Sequence, residues 1–180
     1  RLLLPDANYV ETMLDKLQMI RALSDRNIPV PLSQTLTDDP YRIDFPCISK
    51  PRTGRGSRDV RDLNTSIEAK TLKTTLGPLA HQMLLQQKIE GVEYTVQMIA
   101  SADGSLAAVV PVKVEVKRGI TLRAETEAES RVIAACCAIH HAIPTKGVYN
   151  IQLILTADGK VLPFEINPRI STTLCLVVAA

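Results

Sequence analysis

The sequence predicts an α+β fold in which the β-sheets are antiparallel. Two segments that alternate polar and apolar residues turn back at Asp103-Gly104 and at Asp158-Gly159, and an Asp-Gly pair is typical of a two-residue β-hairpin turn. Residues 12–27, 65–82 and 125–142 have the pattern of helices. Helices and hairpins in this order favour two α+β lobes built on antiparallel sheets.

The first half of the chain is predicted to hold two helices and four short strands. The first helix has an apolar stripe whose members recur about one turn apart: Met13, Leu17, Ile20 and Leu23. Pro29 ends this helix because proline cannot continue it, and Gly77-Pro78 must break or restart the second. The strands are expected over residues 32–36 and 45–50, from residue 60, and over residues 84–89.

The second half is predicted to form two hairpins with a helix between them. Residues 93–100 and 106–116 flank the first Asp-Gly turn, and residues 149–156 and 160–167 flank the second. The helix over residues 125–142 has an apolar stripe of Val132, Ala135, Cys136 and Ile139. Gly91 provides a bend before the first hairpin, so we expect residues 1–90 to form a smaller lobe and residues 91–180 a larger one.

Composition and charge exclude several classes of protein. The 180 residues are 46% hydrophobic and 22% charged, which is typical of a globular domain and not of a disordered chain. The 21 basic and 19 acidic side chains leave a net charge of +2, so any anion site must be local. No apolar run approaches the ~20 residues that span a bilayer. The four cysteines form no Cys-x-x-Cys pair, so we expect no zinc and a reduced, cytoplasmic protein.

The second hairpin gathers oxygen-bearing side chains at its open end. Counting outward from its Asp-Gly turn, Gln152 faces Glu165 and Asn150 faces Asn167. The alternation of a strand places these four side chains on one face of the hairpin. The other face is then expected to be apolar and to consist of Ile151, Leu153, Leu155, Leu162, Phe164 and Ile166.

These four side chains suit a hard cation. Mg²⁺ prefers carboxylate and amide oxygens, keeps few protein ligands and takes others from substrate phosphates. Arg169 follows Asn167 by two residues, where its guanidinium could reach a phosphate oxygen. The alternative is a solvated polar face on an amphipathic hairpin. Clustering at one end and the nearby Pro168-Arg169 favour the metal site.

The loop after the second strand is a candidate anion site. Gly54 and Gly56 allow backbone amides to approach a phosphate, and Lys50, Arg52 and Arg55 add positive charge. The spacing matches neither a P-loop nor G-x-G-x-x-G, so a solvated basic loop is the alternative. No aromatic side chains interleave with the basic residues, which argues against nucleic-acid binding.

Residues 86–94 form a third candidate. A strand, a bend and a second strand between two lobes can offer backbone groups to a purine edge and an acidic side chain to ribose hydroxyls. The alternative is a strand and bend with no binding role.

Together, and in this order, five segments resemble the ATP-grasp family. The likeness is closest to the synthetase domains of the carbamoyl-phosphate synthase large subunit and related ATP-dependent carboxylate-amine ligases. It spans about residues 15–170, nearly the whole chain, and its most specific motif is Glu165-Ile-Asn-Pro-Arg169. The matching segments are residues 15–16, 45–57, 87–93, 150–152 and 164–169.

The resemblance implies an ATP-grasp fold that holds ATP between two α+β lobes, together with a role for each matching residue. The implied nucleotide-binding residues are Lys16, Lys50, Gly54, Arg55, Gly56, Ser57, Gln87, Lys88, Ile89 and Glu93. The implied ligands of two Mg²⁺ ions, for which Mn²⁺ could substitute, are Gln152, Glu165 and Asn167. Lys50 at the α- and β-phosphates and Arg169 at the transferring phosphoryl group would be catalytic.

The implied activity is that of an ATP-dependent ligase. A carboxylate or bicarbonate would attack the γ-phosphate of ATP to form an acyl phosphate, and a nucleophile, usually an amine, would displace the phosphate. The alternatives are a non-catalytic nucleotide-binding module of the same fold and, less favoured, an unrelated phosphate or nucleic-acid binder. We expect the chain to be a fragment that lacks a preceding domain. No family counterpart is clear at residues 113–123, where Lys113, Glu115, Lys117 and Arg123 are candidates to face phosphates or substrate.

Overall fold

The structure is a computed structural model that describes residues 3–54 and 56–179. These residues form two compact units. The smaller unit runs from Pro31 to Ile89, and the larger unit combines the described residues up to Val30 with those from Glu90 onward. Each unit has its own antiparallel sheet and its own buried core.

The chain combines helices with antiparallel strands, as expected for an α+β fold. In chain order they are α1 (Ala7–Leu14), α2 (Lys16–Ser24), β1 (Ser33–Thr35), β2 (Cys47–Pro51), β3 (Arg61–Leu63), α3 (Ser66–Leu76), a 3₁₀ segment (Gly77–Gln82), β4 (Met83–Gln87), β5 (Val92–Ala100), β6 (Leu106–Arg118), β7 (Ile120–Thr126), α4 (Ser130–Ala142), β8 (Gly147–Leu155), β9 (Val161–Asn167) and α5 (Leu174–Ala179). None of the helices in the described part of the chain is both long and apolar enough to cross a membrane.

The smaller unit consists of a four-stranded sheet with α3 and the 3₁₀ segment. Its strands follow the order β1-β4-β2-β3, and all neighbours are antiparallel. Thr65 is the N-cap of α3, since its hydroxyl accepts a hydrogen bond from the backbone N–H of Glu68. Ala69 and Leu72 of α3 share a buried core with Cys47 of β2. This packing covers one face of the sheet.

The larger unit is a five-stranded antiparallel sheet in the order β7-β6-β5-β8-β9. Alternate residues along β5 and β8 lie in a core that also contains side chains of α1, α2 and α4. Tyr149 and Ile151 of β8 are fully buried there, together with Met19 of α2 and Cys136 of α4. The sheet therefore has one face in the helix-lined core, and the residues between those positions lie on its other face.

The predicted helix over residues 12–27 is two helices, because Asp15 interrupts it. Asp15 has extended backbone dihedrals, and its carboxylate accepts hydrogen bonds from the backbone N–H groups of Leu17 and Gln18. It is therefore the N-cap of α2, and Lys16 is the first residue of that helix.

The sequence pattern failed to predict β7. Residues 120–126 form an edge strand that joins β6 at Gly119, and the helix expected from residue 125 begins only at Ser130. Leu122 is 57% exposed, so the strand offers no clear alternation between buried and exposed residues. An edge strand without a buried face leaves little periodic signal in its sequence.

The division of the chain differs from the expected lobes of residues 1–90 and 91–180 at its N-terminal end. The boundary between Ile89 and Glu90 lies one residue from the expected one. Helices α1 and α2, however, belong to the larger unit, since Tyr9, Met13 and Leu23 are buried in its core. The apolar stripe that predicted a helix here does not indicate which sheet the helix covers.

Candidate functional site

The open end of the β8–β9 hairpin carries the expected cross-strand pairs. Asn150 is opposite Asn167, and Gln152 is opposite Glu165, which confirms the predicted pairing. Asn150 and Asn167 are buried, and the Glu165 side chain is 21% exposed. One carboxylate and three amides therefore lie together on the face of the sheet opposite Ile151 and the core.

Two departures from the expected hairpin cancel at this site. The turn is a three-residue loop, since Thr156 and Lys160 are hydrogen-bonded across it and Leu155 pairs with Val161. A bulge then adds one residue, Phe164, to β9, so that Leu153 pairs with Pro163 while Gln152 still pairs with Glu165. The bulge restores the expected register only at the open end of the hairpin.

The same bulge changes which residues of β9 lie on the apolar face, so the predicted face was partly wrong. Leu162 pairs with Ile154, which lies two residues from Gln152 and so shares its face. The Phe164 ring lies 5.7 Å from the Lys117 ammonium, on that same side. Leu162 and Phe164 were therefore wrongly assigned to the buried face, where Val161 and Pro163 stand instead.

Asn150 holds the residues that follow Glu165. Its amide oxygen accepts a hydrogen bond from Asn167 Nδ2 at 3.3 Å, and its own Nδ2 donates to the backbone carbonyl of Arg169 at 2.8 Å. Because Asn167 uses its nitrogen in this bond, its amide oxygen is on the other side of the group, as a cation ligand requires. Arg169 itself is exposed, and its Nη1 donates to the carbonyl of Ile170 at 3.0 Å.

Lys16 lies at the edge of this group. It begins α2 directly after the Asp15 cap, and its ammonium lies 3.9 Å from Glu165 Oε2. Both side chains are largely buried, with 9% and 21% exposed. The structure therefore brings the sequence-predicted Lys16 next to a sequence-predicted metal ligand.

Glu93 is joined to the hairpin through Lys117. The Lys117 ammonium forms a short ion pair with the Glu93 carboxylate and lies 3.4 Å from Gln152 Oε1. From the sequence, Lys117 was only one of four candidates in residues 113–123, where no family counterpart is clear. The other three lie elsewhere, since Arg123 pairs with Glu115, and Lys113 is paired across the strands with Tyr94, which is buried in the core.

The face that carries Lys113 has its own network of charges. Lys113 pairs with Glu125 and Glu127, and the hydrogen bond to Glu125 raises the pKa of Lys113. Tyr94 donates to Glu127 Oε2 at 2.5 Å, and burial together with this bond raises the pKa of Tyr94 above its ordinary value. Both groups therefore stay protonated at neutral pH, on the face away from Gln152.

The smaller unit carries Lys50 and the glycine-containing loop that were expected at the phosphates. Lys50 is 6% exposed on β2, opposite Leu84 of β4. The loop after β2 has backbone in the left-handed region at Gly56 (φ 68°) and also at Ser57 (φ 53°), a conformation uncommon for a residue with a side chain. Arg55 was expected to bind the nucleotide from this loop, but it lies outside the described residues.

The residues expected at the adenine belong to the end of β4 and the segment after it. Gln87 donates its backbone N–H to Leu32 O at 2.8 Å, and its side-chain oxygen accepts from Leu32 N. The Lys88 ammonium pairs with Asp62 at 2.9 Å. We still expect Lys88 and Ile89 to contact a base mainly through their backbone groups, and this stays a prediction.

Gln152, Glu165 and Asn167 fit a divalent cation that takes part of its ligands from a phosphate. The three supply only oxygen atoms and one negative charge, a donor set typical of Mg²⁺ and unlike that of zinc. In the described residues, no group of three or more His, Cys, Asp and Glu residues is arranged to hold a metal. The role of Gln152, Glu165 and Asn167 as metal ligands stays a prediction.

The fold is shared with solved ligases and carboxylases. Carboxyaminoimidazole ribonucleotide synthase from Aspergillus clavatus, complexed with ATP, matches with a TM-score of 0.80 and 16% identity over 94% of this chain and 48% of that one. Pyruvate carboxylase from Rhizobium etli matches with a TM-score of 0.80 and 18% identity over 98% of this chain and 17% of that one. The L-amino acid ligase from Bacillus licheniformis matches with a TM-score of 0.70 and 17% identity over 92% and 43%. These identities establish the fold alone.

The family model for the ATP-grasp domain matches residues 13–173. No protein with a curated description matches the chain by sequence. The chain spans about half the length of the synthase and less than a fifth of the carboxylase. The match to the family model covers every segment on which the sequence resemblance rested, and the chain therefore belongs to the ATP-grasp family.

Proposed function

We propose that this chain is the ATP-binding domain of an ATP-dependent ligase that activates a carboxylate or bicarbonate as an acyl phosphate. The observation that carries the proposal is the pairing of Gln152 with Glu165 beside Asn167, on the polar face of the larger sheet. Lys16 at Glu165 and Arg169 after Asn167 add positive charge at the same end of the hairpin. Membership of the ATP-grasp family supports ATP as the nucleotide.

Each proposed residue has a task in phosphoryl transfer, which depends mainly on positioning and on neutralising charge. Gln152, Glu165 and Asn167 would hold Mg²⁺, and the ion supplies neutralisation of the phosphate oxygens when bound. Lys50 would bind the α- and β-phosphates, while Arg169 would stabilise the phosphoryl group as it transfers. Gly54, Gly56 and Ser57 would offer backbone N–H groups to the phosphates, and Glu93 would bind the ribose.

The proposed reaction has two steps. A carboxylate oxygen attacks the γ-phosphorus, the bond from that phosphorus to the bridging oxygen breaks, and ADP leaves with both electrons. An amine or a similar nucleophile then attacks the acyl carbon and releases phosphate. The names of the similar structures, which include synthases, carboxylases and an amino acid ligase, support a carboxylate or bicarbonate as the group activated.

The test is ADP release by the intact protein, measured with Mg-ATP and a panel of carboxylates, bicarbonate and amino acids. We expect release that depends on one acceptor, and Glu165→Gln should lower it by about 100-fold or more, because the substitution removes a charge where phosphate charge is neutralised. Glu125→Gln is the matched control, since Glu125 lies on edge strand β7 with its side chain 55% exposed. It should release ADP at the unsubstituted rate.

The results separate the proposal from its alternatives. ATP binding without ADP release for any acceptor would identify a non-catalytic module of the same fold. Full activity in Glu165→Gln would remove Glu165 from the metal site. Binding of nucleic acid that weakens steeply with salt, with no affinity for ATP, would contradict the proposal as a whole.

A further inference from the structure

Two lysine ammonium groups lie against the proposed metal ligands. Lys117 Nζ is 3.4 Å from Gln152 Oε1, and Lys16 Nζ is 3.9 Å from Glu165 Oε2. Lys117 also forms its ion pair with Glu93, which is proposed to bind the ribose. All five residues belong to the larger unit. In this arrangement, the oxygens proposed to bind Mg²⁺ already face positive charge from the protein.

Lys117 reaches this face only because β6 is irregular. Strict alternation would place Lys117 on the face of Lys113, four residues earlier, which is paired with buried Tyr94. The pairing of β6 with β7 shifts between Val114 and Val116 and again between Val116 and Lys117. The first shift leaves Glu115 as an extra residue and turns Lys117 to the opposite face. Bulges occur preferentially where they re-aim a side chain toward a site.

A purely structural role does not account for Lys117. Its ion pair with Glu93 is partly exposed, with side-chain exposures of 28% and 26%, and such pairs add little to stability. The Phe164 ring lies 5.7 Å from the same ammonium, and it belongs to the bulge next to Glu165. The contacts of Lys117 therefore connect two proposed binding residues rather than two parts of the core.

We propose that Lys117 makes divalent-cation binding at Gln152 conditional on the nucleotide. This inference rests on the proposed function. Without ATP, the Lys117 ammonium occupies the neighbourhood of the Gln152 oxygen and repels a second cation. The triphosphate supplies negative charge that both Lys117 and the cation can share, so Lys117 can exchange its bond to Gln152 for a phosphate oxygen. Lys117 thereby sets the order in which nucleotide and free metal bind.

The experiment measures Mn²⁺ binding to the intact protein by the electron paramagnetic resonance signal of free Mn²⁺, with and without a non-hydrolysable ATP analogue. Unsubstituted protein should bind Mn²⁺ weakly alone and at least about tenfold more tightly with the analogue. Lys117→Met should bind Mn²⁺ about tenfold more tightly than unsubstituted protein when no nucleotide is present. Lys117→Arg keeps the charge and should behave like the unsubstituted protein.

Lys113→Met is the matched control, because it removes the same charge from the same strand on the opposite face. Lys113 is also ion-paired and is similarly exposed, at 33%. It should leave Mn²⁺ binding unchanged, while a rise equal to that of Lys117→Met would reduce the effect to net charge and overturn the inference. Equal nucleotide-free Mn²⁺ affinity in Lys117→Met and unsubstituted protein would also overturn it.

The failure of the proposed function has a different signature. If neither the unsubstituted protein nor Lys117→Met binds Mn²⁺ in the presence of the analogue, the metal site itself is absent, and both proposals are contradicted. If the analogue promotes Mn²⁺ binding but Lys117→Met has no effect without nucleotide, only the role of Lys117 is contradicted.

Discussion

The two faces of the larger sheet are made from the same five strands and have opposite character. On one face, Val96, Ile151 and Ile166 are buried in a core shared with α1, α2 and α4. On the other face, Gln152 pairs with Glu165, although each of them is the sequence neighbour of a core residue, Ile151 or Ile166. A shift of one residue would exchange the two sets, so the register of each strand decides both the stability and the chemistry of this unit.

Loops do not set that register by themselves. The two hairpins have closely similar loops, with Ala-Asp-Gly between Ser101 and Ser105 in one and between Thr156 and Lys160 in the other. Each loop is followed by a shift in register, because the return strand has one extra residue, Ala107 in the first hairpin and Phe164 in the second. The polar face is therefore established by loop and bulge together, which is why residues far from the turn are paired as a two-residue turn would pair them.

Truncating the core face should have the largest effect on stability. Ile151→Ala removes a fully buried side chain, and we expect it to lower the free energy of unfolding by about 2–5 kcal/mol, because a cavity is left in the core. Urea unfolding measures this change. ATP affinity of the folded protein should remain within about twofold of the original value, since the Ile151 side chain is on the far side of the sheet from Gln152.

Ile154→Ala is the control on the opposite face. Ile154 is only half-buried and shares the face of Gln152, so the same truncation should lower the unfolding free energy by no more than about 1–2 kcal/mol. Equal losses for the two variants would mean that both faces are packed alike and that the contrast between them is wrong.

Removing the amide that orders the polar face should have the next largest effect. Asn150→Ala leaves the Asn167 amide and the Arg169 carbonyl without their partner, and we expect a loss of about 1–3 kcal/mol in the free energy of unfolding. ATP affinity should also fall, because the amide oxygen of Asn167 is no longer oriented. Urea unfolding and isothermal titration with Mg-ATP measure the two effects.

Asn64→Ala is the comparison for this variant. Asn64 is exposed in the smaller unit, so its replacement should change the free energy of unfolding by less than about 0.5 kcal/mol and leave ATP affinity unchanged. An Asn150→Ala protein that binds Mg-ATP as tightly as the original would show that Asn150 does not position the site.

Much of the fold and part of the site were predictable because local signals were strong. The Asp-Gly turns located both hairpins, and the Lys50-Pro51 and Glu165–Arg169 motifs indicated the family that the family model confirms. Edge strand β7 was missed because Leu122 is exposed and leaves no alternating pattern. A strand without a buried face is specified by pairing with its neighbour, which a single segment of sequence does not reveal.

The contacts of Lys117 could not be predicted for a related reason. Alternation from Lys113 assigns Lys117 to the wrong face, and only the irregularity between Val114 and Val116 reverses that assignment. The helices at the start of the chain present the same difficulty, since the apolar stripe through Met13 and Leu23 predicts a helix without naming the sheet it covers. In both cases the deciding interaction lies far away along the chain.

The smallest expected effect tests whether the loop or the bulge controls the site. Gly159 has φ 84°, in the left-handed region, and among the described residues a Cβ there would meet only Arg131 Nη1 at 3.6 Å, an ordinary contact. Gly159→Ala should therefore lower the free energy of unfolding by about 1 kcal/mol through backbone strain alone. Gly104→Ala, with φ 86° in the other hairpin, is the matched control and should have a similar effect.

Because the bulge at Phe164 lies between this loop and Glu165, ATP affinity should be unchanged in Gly159→Ala. A fall of more than about twofold in isothermal titration would mean that the loop conformation reaches Gln152 and Glu165, and that the bulge does not isolate the polar face from the turn.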